Sequence, residues 1–145
     1  MALSLPEACY RAEGVLHPLA RRFPTMQSIE DYVVALVDSD WFAENFPWVY
    51  SPPIIEARSS SATFSVCSGN VIAIANNPEH RILTIVLHEL AHYVTGPEDG
   101  HGAKWRGTFL TLVRREMGFP AYIALRDAYR AENLPEPLDI RFQLV

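Results

Sequence analysis

The chain has 145 residues, of which 49% are hydrophobic and 20% are charged. This length and composition fit one globular domain with an apolar core and exclude a disordered chain. The formal net charge of -5 argues against a dedicated nucleic-acid binder, because the overall charge does not favour approach to a phosphate backbone.

The cysteines and the N-terminal sequence both favour a cytoplasmic protein. Cys9 and Cys67 do not form a CxxC pair, so free thiols in a reducing compartment are expected. Charged residues at Glu7, Arg11 and Glu13 interrupt any apolar run near the start of the chain. The sequence also has no apolar stretch of about 18 residues, so we predict a soluble protein with no membrane partner.

Residues 1–47 are predicted to form supporting helices. A capping-box pattern begins at Ser4 and predicts a helix that continues to about Arg22. Ser28 is a second predicted cap and is followed by apolar residues at helical spacing. A short helix over 39–45 completes this part of the chain.

The next segment is predicted to form three short strands separated by turn-forming residues. The predicted strands are Ile54–Arg58, Ala62–Cys67 and Val71–Ala75. Short connections favour an antiparallel meander. The last strand is expected either to be an ordinary core strand or to offer an edge to which an extended peptide adds.

Two helices are then predicted in the centre of the sequence. The first runs from Pro78 to Thr95 with Asn77 as its cap, and it is apolar on nearly all sides, which is typical of a helix in the middle of a fold. The second is amphipathic, has Trp105 on its apolar stripe, and ends at Gly118. A last helix and an extended tail from residue 134 follow.

The central helix carries the sequence His88-Glu-Leu-Ala-His92. Residues four apart lie on one helical face, so both imidazoles can bind the same metal ion. Glu89 is rotated by about 100° from His88, which places its carboxylate beside a zinc-activated water as a general base. The alternative is a set of hydrogen-bonded structural residues, but burying them without a function is costly.

A catalytic zinc ion usually has three protein ligands and one open position. His101 is the favoured third ligand because it lies four residues before Trp105, on the predicted inward stripe. Gly100 and Gly102 allow the tight backbone path that a returning ligand needs. The candidates for this position are Glu98, Asp99 and His101.

The two histidine segments resemble those of SprT-like zinc metallopeptidases and of related small actinobacterial and phage metallohydrolases. That group has a HELxH helix followed by His-Gly-x-x-Phe/Trp at the start of the next helix, and the matching positions here are 88–92 and 101–105. The resemblance covers about residues 69–117. It implies zinc binding by His88, His92 and His101, with Glu89 as the general base.

Other families fit less well. The chain lacks the CxxC pairs and basic tail of DNA-associated SprT-like proteases, so nucleic acid is not an expected partner. The metzincin pattern is absent, because the sixth residue after His92 is Glu98 rather than histidine. ImmA/IrrE-like regulators share HExxH but use an acidic third ligand, which would require Glu98 or Asp99.

These patterns predict a compact α+β, zincin-like domain over residues 1–145. Helices over 1–47 precede a site-bearing part over 48–118, in which a mostly antiparallel sheet packs on the HExxH helix. A helix and tail over 119–145 end the chain. The tail is expected to complete the sheet as an edge strand, to dock on the core, or to lie across a cleft as a plug.

The predicted function is zinc-dependent hydrolysis of a peptide or protein substrate, with Zn²⁺ as the cofactor. Tyr93 is a candidate to stabilise an oxyanion, although packing with a satisfied hydroxyl is the alternative. The small size of the chain also motivates a second hypothesis, a zinc-stabilised binding or regulatory domain without turnover.

Overall fold

The structure, a computed structural model, describes residues 3–142 and is of the α+β class. The described residues form six α-helices, a three-stranded sheet and 3-10 turns at Gly14–Leu19 and Ile140–Phe142. In chain order the elements are α1 (Leu5–Glu13), α2 (Met26–Val37), α3 (Asp40–Asn45), β1 (Ile54–Arg58), β2 (Val66–Ser68), β3 (Val71–Ala75), α4 (Leu83–Thr95), α5 (Ala103–Met117) and α6 (Phe119–Ala131).

The sheet is mixed, and its strand order is β1-β3-β2. β3 is parallel to β1 over five residues and antiparallel to β2 over three, so the predicted antiparallel meander is wrong. β3 holds the fully buried Ile72 and Ile74, whereas β1 and β2 are largely exposed. The most apolar strand therefore takes the centre. Because β3 is paired on both sides, the hypothesis that it offers an edge to a peptide is also wrong.

β2 begins at Val66 rather than at Ala62, because the side chain of Ser65 takes the place of a main-chain hydrogen-bond partner. The hydroxyl of Ser65 accepts a hydrogen bond from the N–H of Ala75 at 3.1 Å and lies 2.9 Å from Nδ1 of His80. Residues 62–65 consequently run outside the strand, and pairing is confined to Val66–Ser68.

The first two helices follow their predicted caps only in part. Ser4 caps α1 as predicted, but the chain then tightens into the 3-10 helix Gly14–Leu19, in which Pro18 has no N–H to donate. The cap of α2 is Thr25 rather than Ser28. Each of these two hydroxyls accepts a hydrogen bond from the other residue's N–H, so Ser28 is the third-position member of the capping box.

The central helix α4 begins at Leu83, five residues later than Pro78. Oδ1 of Asn77 accepts a hydrogen bond from the N–H of His80, so Asn77 caps a turn over residues 77–80 rather than the helix. Arg22 and Ile82 form an isolated antiparallel bridge, which holds the residues before α4 extended. This contact with a distant segment overrides the local helix signal.

Helix α4 lies in the middle of the core. It packs against α5, β2 and β3, while α6 covers α5 and α1. None of the helices within residues 3–142 is long and apolar enough to cross a membrane.

The tail docks on helix α5 as far as the structure describes it. The N–H of Leu138 donates to the carbonyl of Ala103 at 3.0 Å. A Cβ at Gly107 would lie 1.9 Å from the carbonyl oxygen of Leu138, so the tail backbone rests directly on the helix. Docking on the core is therefore confirmed for this part, and residues 143–145 lie outside the described residues.

Candidate metal centre

Two histidines of helix α4 and one from the turn before α5 converge. Nε2 of His101 lies 3.1 Å from Nε2 of His88 and 3.2 Å from Nε2 of His92. A tetrahedral zinc ion bound at about 2.0–2.1 Å holds its ligand atoms roughly 3.3 Å apart, so these separations fit one ion. Among the described residues, these three form a group close enough to bind a metal ion.

Aromatic rings hold the three imidazoles in place. Trp105, fully buried on α5, stacks on His92 with ring centroids 4.9 Å apart and meets His88 and His101 at 4.6 and 4.7 Å. Tyr10 of α1 also stacks on His88, with ring centroids 5.2 Å apart. Rings packed on several sides restrict rotamers, which preorganises the donors for an ion.

Burial keeps the histidines neutral at physiological pH. Burial lowers the pKa of His88. Burial is also the main reason why the pKa of His92 falls to about 3, and repulsion from the neighbouring histidines contributes to this fall. Burial is the main reason why the pKa of His101 falls to about 4, and the charges of His88 and Arg106 lower it further. Neutral imidazoles offer lone pairs, which is the form that binds a metal ion.

A buried carboxylate from α1 supports the first histidine. Oε1 of Glu13 lies 2.5 Å from Nδ1 of His88, and Glu13 is 3% exposed. When Nδ1–H donates to the ionised carboxylate, Nε2 presents the lone pair that ligation needs. Burial raises the pKa of Glu13 well above its usual range, and its Oε2 has no hydrogen-bond partner among the described residues.

Sequence reasoning missed Glu13, although a signal was present. Cys9 of α1 and Leu16 of the following 3-10 helix are buried and lie four residues before and three residues after Glu13, so the carboxylate occupies the inward stripe of this segment. An acidic side chain at an apolar position of a helix indicates a buried partner, here His88.

Glu89 lies beside the histidines and lines the same cleft. It is 5% exposed, and its pKa is raised to about 8, first by burial and then by the charge of Glu13. A hydrogen bond from the backbone N–H of Cys67 on β2 opposes this rise. The residue is therefore poised to gain or lose a proton near neutral pH.

The acidic candidates for third ligand lie elsewhere. Oδ2 of Asp99 accepts a hydrogen bond from the N–H of Trp105 at 2.9 Å, so Asp99 caps the start of α5. Its carboxylate fills the space where Gly102 would otherwise carry a Cβ. Glu98 is exposed. Gly100 adopts a φ of 55°, the left-handed conformation that the tight turn before His101 requires.

His92 and His101 open onto a cleft of about 360 Å³ between β2 and the turn that precedes α5, and His88 lines a neighbouring pocket. A smaller pocket of about 290 Å³ adjoins it towards Ile85 and Phe64. A larger cavity of about 510 Å³ lies between α5 and the tail, but none of the three histidines lines it. None of the residues from 134 to 141 lines the cleft, so this part of the tail does not plug it.

Tyr93 borders the cleft, but its hydroxyl is already engaged. It donates a hydrogen bond to the carbonyl of Ser51 at 2.8 Å. This contact agrees with the alternative of packing with a satisfied hydroxyl, and the geometry gives no support for an oxyanion role.

Comparison with known proteins gives no relative. No protein-family model matches the chain, and neither the curated proteins nor the solved structures include a significant match. The resemblance to SprT-like metallopeptidases therefore stays a prediction from the motifs at 88–92 and 101–105.

Proposed function

We propose that this protein is a zinc-dependent hydrolase that cleaves peptide bonds. The observation that carries the proposal is the convergence of three histidines beside Glu89. Nε2 of His101 lies 3.1 Å from Nε2 of His88 and 3.2 Å from Nε2 of His92, and Glu89 lines both pockets onto which these histidines open. The choice of a peptide substrate, and of a zincin-like variant of the α+β fold, has its support in the HExxH helix and the resemblance it carries.

Zinc is the metal that best suits this donor set. His88, His92 and His101 would hold the ion, and three imidazoles with one open position are a common arrangement of catalytic zinc. Nδ1 of His88 is already oriented by Glu13, as metal-binding histidines usually are. When bound, a zinc ion supplies Lewis-acid chemistry, which acidifies water and polarises a substrate carbonyl.

Glu89 would carry the proton in this reaction. Its carboxylate takes a proton from the attacking water and later passes it to the leaving nitrogen, which needs a group that titrates near the working pH. Burial raises the pKa of Glu89 to about 8, so the ionised form that accepts the proton increases as the pH rises towards this value. Backbone hydrogen bonding at Cys67 of β2 opposes the rise in this pKa, so the sheet tunes the proton affinity of Glu89.

The deciding experiment compares Glu89→Gln with the wild type on casein. The variant should retain one zinc per chain and lose about 10²–10⁴-fold in kcat, because the amide cannot accept the proton. Glu79→Gln, an exposed glutamate shortly before α4, is the matched control and should be unaffected. His101→Ala should lose zinc.

Two outcomes would contradict the proposal. Full activity in zinc-loaded Glu89→Gln would remove the general-base mechanism. A zinc-loaded wild type that cleaves neither casein nor a peptide library would favour the non-catalytic binding or regulatory domain instead.

A further inference from the structure

Arg106 is a buried cation that joins two distant segments. It is 1% exposed, and none of the described carboxylates lies within ion-pair distance of it. One amino group of its guanidinium donates to the carbonyl of His101 at 2.7 Å, and the other donates to the carbonyl of Pro135 at 2.8 Å. Arg106 thus links the turn that carries the third histidine to the C-terminal tail.

This arrangement makes the two contacts interdependent. A buried guanidinium is costly unless its donors are satisfied, and Nε of Arg106 already has no partner among the described residues. Loss of the Pro135 carbonyl would leave a second group unpaired and let water reach the cation. The guanidinium would then no longer be fixed against the carbonyl of His101.

The tail can reach Arg106 only because the next residue is glycine. The carbonyl oxygen of Leu138 occupies the position next to Gly107 where a side chain would begin, 1.9 Å from an added Cβ. The tail is also fastened by the hydrogen bond from Leu138 to Ala103. A methyl group at Gly107 would therefore lift the tail without touching any histidine.

We propose that Arg106 is a positioning residue that couples docking of the tail, residues 134–142, to metal binding at His101. The inference rests on the metal site of the proposed function. Because such coupling is reciprocal, metal binding should in turn hold the tail against α5.

The test measures zinc affinity by chelator competition, and the visible spectrum of the Co²⁺ form, in Gly107→Ala and Arg106→Met. Loss of supporting contacts around a metal ligand typically costs 10–100-fold in affinity, and we expect about that loss with a changed Co²⁺ spectrum. Lys104→Met is the matched control, since Lys104 is an exposed cation on the same helix. It should bind zinc like the wild type.

Hydrogen exchange of the metal-free proteins supplies a second measurement. Gly107→Ala should speed exchange in both the tail and residues 96–102, whereas Lys104→Met should change neither. If Arg106→Met fails to fold, Gly107→Ala decides the matter, because alanine favours a helix and leaves Arg106 in place.

The inference is overturned if Gly107→Ala exposes the tail to exchange while zinc affinity stays within twofold of the wild type. Unchanged exchange in residues 96–102 would overturn it as well. Failure of the proposed function would look different from failure of this inference. In that case the wild-type protein itself would bind no zinc or show no turnover.

Discussion

Glu13 determines how His88 can act as a ligand. A carboxylate on Nδ1 fixes the ring and makes Nε2 a better donor to a cation. Both side chains are almost fully buried, so their contact is not weakened by solvent. The pair therefore adds to metal affinity without touching the ion.

Replacing Glu13 should weaken metal binding. Glu13→Gln keeps an oxygen acceptor but replaces the carboxyl group by an amide, which is a weaker acceptor, and we expect zinc affinity to fall by about 10-fold, within the 10–100-fold range of such contacts. Chelator competition measures the change. Glu7→Gln, an exposed glutamate on the same helix, is the control. Equal zinc affinity in Glu13→Gln and wild type would show that Glu13 is only a packing residue.

At the level of elements, helix α5 begins directly behind the third ligand. Gly102 occupies its cap position and has no side chain to accept a hydrogen bond, so Asp99 supplies the acceptor for the N–H of Trp105. Trp105 in turn contacts all three imidazoles. The start of this helix and the geometry of the site are thus set together.

Substitutions at Asp99 separate the capping role from a metal-binding role. Asp99→Asn keeps the oxygen acceptor, so zinc affinity and the free energy of unfolding should both stay near the wild-type values. Asp99→Ala should lower the free energy of unfolding by about 1 kcal/mol, the usual cost of a lost cap. Urea denaturation measures the stability. A large loss of zinc in Asp99→Asn would instead indicate that the carboxylate binds the metal.

For the whole molecule, most of the apolar core lies away from the metal site. Phe42, Phe46, Ile72 and Leu125 are fully buried and none of them lines the cleft. A core of this extent does not depend on one ion, in contrast to small zinc domains that unfold without metal.

Removing the metal should therefore lower stability without unfolding the protein. Excess chelator should reduce Tm while melting stays cooperative, because zinc at 1,000 times its Kd adds about 4 kcal/mol to a fold that already stands alone. Thermal melting followed by circular dichroism, with and without zinc, measures this. Complete unfolding by chelator at 25 °C would favour the zinc-stabilised binding domain.

Local sequence determined the features that depend on near neighbours. The four-residue spacing of His88 and His92, the Ser4 cap and the strands Ile54–Arg58 and Val71–Ala75 were all predictable, because helical and strand periodicities are set within a few residues. The placement of His101 near the pair followed from its spacing to Trp105.

Tertiary structure decided what depends on contacts between distant segments. Glu13 meets His88 across 75 positions, Arg106 reaches Pro135, and β3 rather than β2 takes the centre of the sheet. The delayed start of α4 has the same origin, since residue 22 pairs with residue 82. No local pattern specifies such partners, because the choice follows from which packing buries the most apolar surface and satisfies the most buried polar groups.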